Sequence, residues 1–121
     1  MKTVMVVDDE ESLRLLSKGI IENAGFKFMQ ANDGKECLEI LKTKVPDLIL
    51  MDMMMPGLTG RETVEKIRKN PKTKNIKIFF LTVARFSETG LADLKKLEIL
   101  EYITKPFENA FLVEKIKNTL K

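Results

Sequence analysis

The hydrophobic positions of this chain follow two spacings in turn. Short apolar runs rich in Val, Ile, Leu or Phe, typical of strands, alternate with longer stretches in which apolar residues recur every three or four positions, typical of helices. This pattern predicts five strands, at Thr3–Asp8, Lys27–Ala31, Asp47–Asp52, Ile76–Thr82 and Ile99–Thr104. The third and fourth strands show little polar alternation, as expected for strands that are covered on both faces.

A helix is predicted after each strand. The helices are expected at Glu11–Ala24, Asp33–Thr43, Thr59 or Gly60 to Lys69, Ser87–Leu97 and Asn109–Leu120. One side of the first helix is apolar and is expected to face the core, and its residues are Leu13, Leu16, Ile20 and Ala24. The repeated βα order implies right-handed crossovers and a mostly parallel sheet with helices on both faces. In such sheets the ligand site lies at the carboxyl ends of the strands.

The size and composition of the chain indicate one globular domain over residues 1–121. A chain of 121 residues, 44% of them hydrophobic and 32% charged, can bury a core without disulfides or structural metals. The single cysteine, Cys37, lies in an amphipathic stretch and is expected to be a small buried hydrophobic residue. The apolar run Thr3–Val7 is too short for a signal peptide or a membrane span, so we expect a cytoplasmic protein without membrane contact.

The charged residues narrow the choice of chemistry. The sequence has no histidine, so any histidine chemistry must come from a partner. The net charge is +3, and one segment concentrates six basic residues, Lys66, Arg68, Lys69, Lys72, Lys74 and Lys77. Because no aromatic residues are interleaved with them, we interpret this segment as a solvated helix end and loop, and we expect no direct binding of nucleic acid.

Polar residues stand at the ends of four predicted strands. The first strand ends in Asp8 and Asp9, the third in Asp52 and the fourth in Thr82, and the fifth leads into Lys105. Since parallel strands end at the same edge of a sheet, these side chains should lie together. Clustered carboxylates repel one another unless a cation joins them, and oxygen ligands without His or Cys favour Mg²⁺.

This set of groups suits an incoming phosphoryl group. An aspartate can attack phosphorus while a cation and a lysine neutralise the phosphoryl oxygens. On charge alone a structural ion pair is an equally good interpretation of Lys105, and the hydroxyl of Thr82 favours the functional one. The acidic loop Asp8–Glu11 would repel an anion, which argues against a nucleotide or flavin site after the first strand.

Four segments resemble the receiver domain of bacterial and archaeal response regulators, including the stand-alone chemotaxis type. They are Val6–Glu10, Pro46–Gly57, Leu81–Thr82 and Tyr102–Phe107, and the resemblance covers essentially the whole chain. It implies a flavodoxin-like (βα)5 fold, doubly wound, with a parallel sheet of five strands in the order 2-1-3-4-5. It also implies a phosphorylation-dependent signalling switch of a two-component system.

The resemblance further implies a role for each residue at the strand ends. Asp52 would accept phosphate from the phosphohistidine of a partner histidine kinase, and Thr82 and Lys105 would each bind a phosphoryl oxygen. Mg²⁺ would be held by Asp8, Asp9, Asp52 and the backbone carbonyl of Met54. Tyr102 would turn inward as Thr82 moves toward the phosphate. That movement would alter the face formed by the fourth helix, fifth strand and fifth helix, where a protein output partner would bind. The protein itself would be a monomer or a phosphorylation-dependent dimer.

The sequence departs from the family pattern at several positions. Val83 is bulkier than the usual Ala or Gly, and Leu97–Leu100 replaces the small pair common before the fifth strand. Neither Met54 nor Ala84 can orient an attacking water molecule. The protein is therefore expected to be a phosphoacceptor, not an enzyme, that assists its own phosphorylation and its own slow dephosphorylation.

Two other functions stay open on the sequence alone. An aspartyl-phosphate phosphatase needs a second acid near the nucleophile, which Met53–Met55 does not supply, and a cap for which the chain has no room. An unphosphorylated docking module would not need the five polar positions, all of which are present.

The first helix has more apolar residues than one buried stripe requires. One or two of Leu13, Leu15, Leu16, Ile20 and Ile21 should therefore face solvent, and the family's kinases dock on this helix. Phe111 lies off the apolar face of the last helix and is a candidate for an output or dimer contact. Scattered exposed hydrophobic residues are the alternative interpretation in both places.

Overall fold

Five strands and four helices form within the residues that the computed structural model describes, 1–82 and 95–121. The strands are β1 (Thr3–Val7), β2 (Lys27–Ala31), β3 (Leu48–Asp52), β4 (Lys77–Thr82) and β5 (Glu101–Thr104). The helices are α1 (Glu11–Asn23), α2 (Gly34–Leu41), α3 (Gly60–Lys69) and α4 (Asn109–Thr119). Most of the predicted helix Ser87–Leu97 lies outside the described residues, although Lys95 and Lys96 are helical.

The strands form one parallel sheet in the order β2-β1-β3-β4-β5, which confirms the expected fold. The predicted strands differ from the observed ones by at most two residues at their ends. The register pairs Val4 with Leu48 and Asp52 with Leu81, so β3 lies at the centre of the sheet. No helix in the described ranges is long and apolar enough to cross a membrane.

Successive strand residues supply two separate hydrophobic cores, because side chains along a strand point to opposite faces of the sheet. Met5 and Val7 belong to one core, which α2 and α3 cover through Cys37, Leu41, Val64 and Ile67. Val4 and Val6 belong to the other, which α1 and α4 cover through Ile21, Leu112 and Ile116. The buried strands β3 and β4 contribute to both cores, as their lack of polar alternation predicted.

The predicted starts of α2 and α3 are confirmed by their caps. The Asp33 side chain accepts a hydrogen bond from the amide of Glu36 at 2.8 Å, and α2 follows directly. Thr59 and Glu62 form a reciprocal capping box at the start of α3, in which each side chain accepts a bond from the other's amide. These two caps satisfy helix amides that would otherwise lack partners.

The predicted apolar side of α1 is only partly covered, because Leu13, Ile20 and Ala24 are half-buried but Leu16 is exposed. Ser17 and Ile21 are buried, whereas Leu16 is 57% exposed and Leu15 is 62% exposed. Ile21 packs into the core beneath α1, and Arg14, on the same side of the helix, donates to the Gln30 side chain and to the carbonyl of Asp8. Apolar spacing alone missed this orientation, although the expected surplus of exposed leucines is confirmed.

Arg68 differs from the lysines of its basic segment. Those lysines are exposed, as expected, but Arg68 is half-buried and donates to the carbonyls of Leu97 at 2.8 Å and Ile76 at 2.6 Å. It also donates to the carbonyls of Lys74 and Glu98. The interpretation of this segment as solvated is therefore wrong for Arg68, which joins the end of α3 to the segments that precede β4 and β5.

Candidate functional site

The carboxyl ends of the strands bring the predicted polar residues to one edge of the sheet. Asp8 directly follows β1, Asp52 is the last residue of β3, and Thr82 is the last residue of β4. Lys105 directly follows β5, and its amide donates to the carbonyl of Thr82 at 2.7 Å. This last bond extends the pairing of β4 with β5 and fixes where the Lys105 side chain starts.

Three carboxylates converge at this edge. Asp8, Asp9 and Asp52 each offer one oxygen, and the three oxygens lie within 4.8 Å of one another. Asp8 is 2% exposed and Asp52 is 7% exposed, while Asp9 is open to solvent. A set of oxygen donors this close, with one side open for exchange of ligands, fits a hard cation such as Mg²⁺.

Lys105 lies beside this cluster. Its Nζ is 3.2 Å from Oδ2 of Asp8 and 3.9 Å from Oδ1 of Asp52, and its side chain is 17% exposed. A partly buried ammonium is screened less by solvent than a surface lysine, so it partly neutralises the two buried carboxylates. The structure therefore brings the predicted lysine to the predicted acids.

Asp8 forms hydrogen bonds through its carboxylate, its amide and its carbonyl. Its Oδ1 accepts a hydrogen bond from the amide of Glu10 at 2.9 Å, and its own amide donates to the carbonyl of Ala31 at 3.2 Å. Its carbonyl accepts a bond from Nη1 of Arg14 at 2.7 Å. These bonds fix both the backbone and the side chain of the residue that carries the turn from β1 to α1.

Protonation of Asp52 is strongly affected by the surroundings of its side chain. The pKa of Asp52 is raised to about 6, mainly by burial and to a smaller extent by the neighbouring charges of Asp8 and Asp9. The amide of Met54, which donates to Oδ1 at 3.1 Å, and the ammonium of Lys105 act in the opposite direction. A carboxylate with a raised pKa is a better nucleophile, and it gains from a cation that offsets its burial.

The remaining predicted residues lie close to this edge in the fold. Thr82 is 1% exposed, and its neighbour in the register is Thr104. Tyr102 lies two residues earlier on β5 and is 37% exposed, so its ring is at the surface. Met54 is 68% exposed. Val83 and Ala84, where the sequence departs from the family pattern, lie outside the described residues.

Arg14 is a residue near the site that the sequence analysis did not identify. Its Nε donates to Oε1 of Gln30 at 3.0 Å, in addition to the bond from Nη1 to the carbonyl of Asp8. The available signal was a single arginine one turn into the helix that follows the acidic run Asp8–Glu11. That signal is weak, because an arginine in a first helical turn usually faces solvent.

Comparison with known proteins assigns the chain and its fold to a family. The model of the response regulator receiver domain matches residues 4–117. The chain belongs to this family. The expectation of a response regulator receiver domain is therefore confirmed. Receiver domains of two-component systems are a class that interacts with histidine kinases.

Individual relatives agree with this assignment. The phosphate regulon transcriptional regulatory protein PhoB of Pseudomonas aeruginosa is 32% identical over 99% of this receiver domain and 52% of its own length. The chemotaxis protein CheY4 of Vibrio cholerae superposes with a TM-score of 0.90 at 28% identity, over 98% of both chains. The response regulator TrrA of Thermotoga maritima, solved in complex with Mg²⁺-BeF, has a TM-score of 0.83 at 35% identity, over 98% of this chain and 99% of its own. The receiver domain spans about half the length of the curated transcriptional regulators it matches.

Proposed function

We propose that this receiver domain is a phosphorylation-dependent switch in which Asp52 accepts a phosphoryl group from a histidine kinase in the presence of Mg²⁺. The observation that supports it is the convergence of Asp8, Asp9 and Asp52 within 4.8 Å, with Lys105 at 3.2 Å from one of them and 3.9 Å from another. Such a cluster is costly to keep ionised near buried strands, which argues that it is retained for its chemistry.

The ligands proposed for Mg²⁺ are the three aspartates and the backbone carbonyl of Met54. When bound, the ion neutralises charge on the carboxylates and on the oxygens of the incoming phosphoryl group. The aspartates would hold the ion from the ends of β1 and β3, the strands that position their side chains. A relative of this chain, TrrA, was solved with Mg²⁺ and the phosphate analogue BeF, which supports the choice of ion.

In the proposed transfer, a carboxylate oxygen of Asp52 attacks the phosphorus of the partner's phosphohistidine. The new P–O bond forms as the P–N bond breaks, and the imidazole leaves with the electron pair of that bond. Lys105 pairs with one phosphoryl oxygen and the hydroxyl of Thr82 donates to another. Lys105 lies nearer to Asp8 than to Asp52, and its ammonium would be available to the phosphoryl group if Asp8 held a cation instead.

The signal is proposed to pass from Thr82 to the face that contains β5 and α4. Tyr102 on β5 lines a cavity of about 420 Å³ together with Phe107 and Phe111, and Phe111 is 46% exposed. A dianionic phosphoryl group with several strong acceptors can draw the Thr82 hydroxyl toward it, and Tyr102 then turns inward. The change in this cavity and at Phe111 alters the surface offered to an output protein.

The histidine kinase is proposed to dock on α1. Leu15 and Leu16 are exposed there, and Leu16 also lines an apolar cavity of about 510 Å³ between α1 and α4, with Ile20 and Val113. The helix begins four residues after the end of β1, so a partner bound to it lies close to Asp52. An exposed apolar groove is a common form of protein-binding surface.

The decisive experiment is incubation with Mg²⁺ and acetyl phosphate, followed by intact mass measurement. We expect the wild-type protein to gain one phosphoryl group, and we expect Asp52→Asn to gain none. Asp47→Asn serves as the matched control, because Asp47 is an exposed acid at the opposite end of β3. It should be phosphorylated like the wild type.

Three outcomes would overturn the proposal. Absence of an adduct on the wild-type protein in saturating Mg²⁺ would favour an unphosphorylated docking module. Continuous release of phosphate at a steady rate, without accumulation of the adduct, would favour an aspartyl-phosphate phosphatase. An adduct that survives in Asp52→Asn would place the acceptor elsewhere.

A further inference from the structure

We propose that Arg14 is a positioning residue of the cation site, which holds the backbone of the β1–α1 turn so that Asp8 and Asp9 present their carboxylates together. The inference rests on the proposed function, because it concerns the same Mg²⁺ site. It adds a residue that lies outside the set of aspartates, hydroxyl and lysine already described.

The contacts of Arg14 join three segments of the chain. Its Nη1 donates to the carbonyl of Asp8 at 2.7 Å, and its Nε donates to Oε1 of Gln30 at 3.0 Å. Its amide donates to the carbonyl of Glu10 at 3.1 Å, in the first turn of α1. The guanidinium thus links the end of β1 and the edge strand β2 to the start of α1.

The bond to the Asp8 carbonyl fixes the peptide unit between Asp8 and Asp9. Rotation of this unit would change the directions of both side chains, since each Cα–Cβ bond is set by the backbone on either side. The same turn places the amide of Glu10 at 2.9 Å from Oδ1 of Asp8. Arg14 therefore constrains the carboxylates of Asp8 and Asp9 through the backbone. Its two side-chain bonds go to the Asp8 carbonyl and to Gln30, not to a carboxylate oxygen.

The geometry requires an arginine. A planar guanidinium offers Nε and Nη1 in fixed relative directions, so it can bind the Asp8 carbonyl and the Gln30 amide oxygen at the same time. A lysine carries the same charge on a flexible stem and cannot reproduce both bonds in this arrangement. Gln30 in turn orients the fork, because its oxygen accepts from Nε while Nη1 points to Asp8.

A purely electrostatic role of Arg14 and a positioning role predict opposite changes in Mg²⁺ affinity when Arg14 is replaced by methionine. If Arg14 acts only as a positive charge near the acids, its loss removes repulsion toward Mg²⁺ and tightens binding. If it holds the turn, its loss lets the carboxylates separate and weakens binding. Residues of this supporting kind typically change metal affinity by about 10-fold to 100-fold when they are mutated.

The test measures Mg²⁺ affinity by isothermal titration calorimetry for the wild type, Arg14→Lys, Arg14→Met and Gln30→Ala. We expect both Arg14 variants to bind Mg²⁺ about tenfold more weakly or worse, with a smaller loss in Gln30→Ala. The matched control is Lys18→Met, which removes a positive charge from an exposed position of α1 one turn further on. It should bind Mg²⁺ at least as tightly as the wild type.

A second measurement works without Mg²⁺. Hydrogen–deuterium exchange at the Glu10 amide should be faster in both Arg14 variants, while far-UV circular dichroism stays that of the wild type. Wild-type affinity in Arg14→Lys, tighter binding in Arg14→Met, or unchanged exchange at Glu10 would each overturn the inference. If the wild type itself bound no Mg²⁺, the proposed function would fail, and the exchange measurement would still decide whether Arg14 holds the turn.

Discussion

Met54 lies beside Asp52, and if Asp52 is the phosphoacceptor proposed above, the Met54 side chain should affect how long the phosphoryl group stays bound. Its amide donates to Asp52, but its thioether side chain is 68% exposed and has only a weak acceptor to offer. Hydrolysis of an acyl phosphate needs a water molecule that is held in line with the bond that breaks. A methionine at this position cannot hold such a water molecule.

We expect Met54→Asn to lose its phosphoryl group about tenfold faster than the wild type, a fall in the barrier of about 1.4 kcal/mol. The amide of asparagine can donate to and accept from a water molecule beside the phosphoryl group. The rate is measured by intact mass at successive times after removal of acetyl phosphate. Val45→Asn, a substitution at an exposed position before the opposite end of β3, is the matched control. Equal lifetimes in wild type and Met54→Asn would contradict the expectation.

At the scale of elements, the start of α3 lies against the end of β3. The amide of Gly60 donates to the carbonyl of Met53 at 3.1 Å, so the first residue of the helix touches the segment that follows Asp52. A Cβ atom at Gly60 would lie 2.8 Å from Cα of Met53, which is too close for any real contact. Glycine at this position therefore lets α3 begin beside the candidate site.

We expect Gly60→Ala to lower the free energy of unfolding by about 2 kcal/mol or more, because relief of the clash must move backbone. Gly19→Ala is the matched substitution, since a Cβ there meets no atom within 4 Å on the exposed side of α1. It should raise the free energy of unfolding by about 0.5 to 1 kcal/mol through helix propensity. Urea denaturation followed by circular dichroism measures both. Stabilisation by both substitutions would contradict the close approach of α3 to β3.

At the scale of the whole molecule, the candidate site affects global stability through Asp52. Burial raises the pKa of Asp52 from its ordinary value of 3.8 to about 6. The folded protein therefore holds a proton at Asp52 more tightly than the unfolded chain does. This contribution is fully present below about pH 4 and is lost as the pH rises through about 6.

Above about pH 6, without Mg²⁺, the ionised Asp52 should lower the free energy of unfolding by on the order of 2 kcal/mol. We expect Asp52→Asn to be more stable than the wild type by about that amount near pH 7.5, and to show little difference near pH 4. Glu22→Gln, exposed on α1, should change stability by less than about 0.5 kcal/mol at both pH values. Urea denaturation at the two pH values measures the difference. An equal gain in the free energy of unfolding of Asp52→Asn at both pH values would show that ionisation of Asp52 is not the cause of the gain.

Much of this molecule follows from local features of its sequence. The spacing of apolar residues identified all five strands and the four helices in the described ranges, because burial against a sheet or a neighbouring helix imposes a period on the chain itself. Asp33 and Thr59 identified the helix starts, since a cap acts on amides only a few residues away. The order of strands and helices then placed Asp8, Asp52 and Lys105 at one edge of the sheet.

Other features were decided only by the tertiary structure. Arg14 and Arg68 both bind backbone carbonyls, and every residue has a carbonyl, so no residue type in the sequence marks the partner. The side of α1 that is fully buried depends on how Ile21 packs into the core, which apolar spacing within the helix does not specify. The nearer approach of Lys105 to Asp8 and the raised pKa of Asp52 depend on burial and distance between separate strands, which a one-dimensional pattern does not contain.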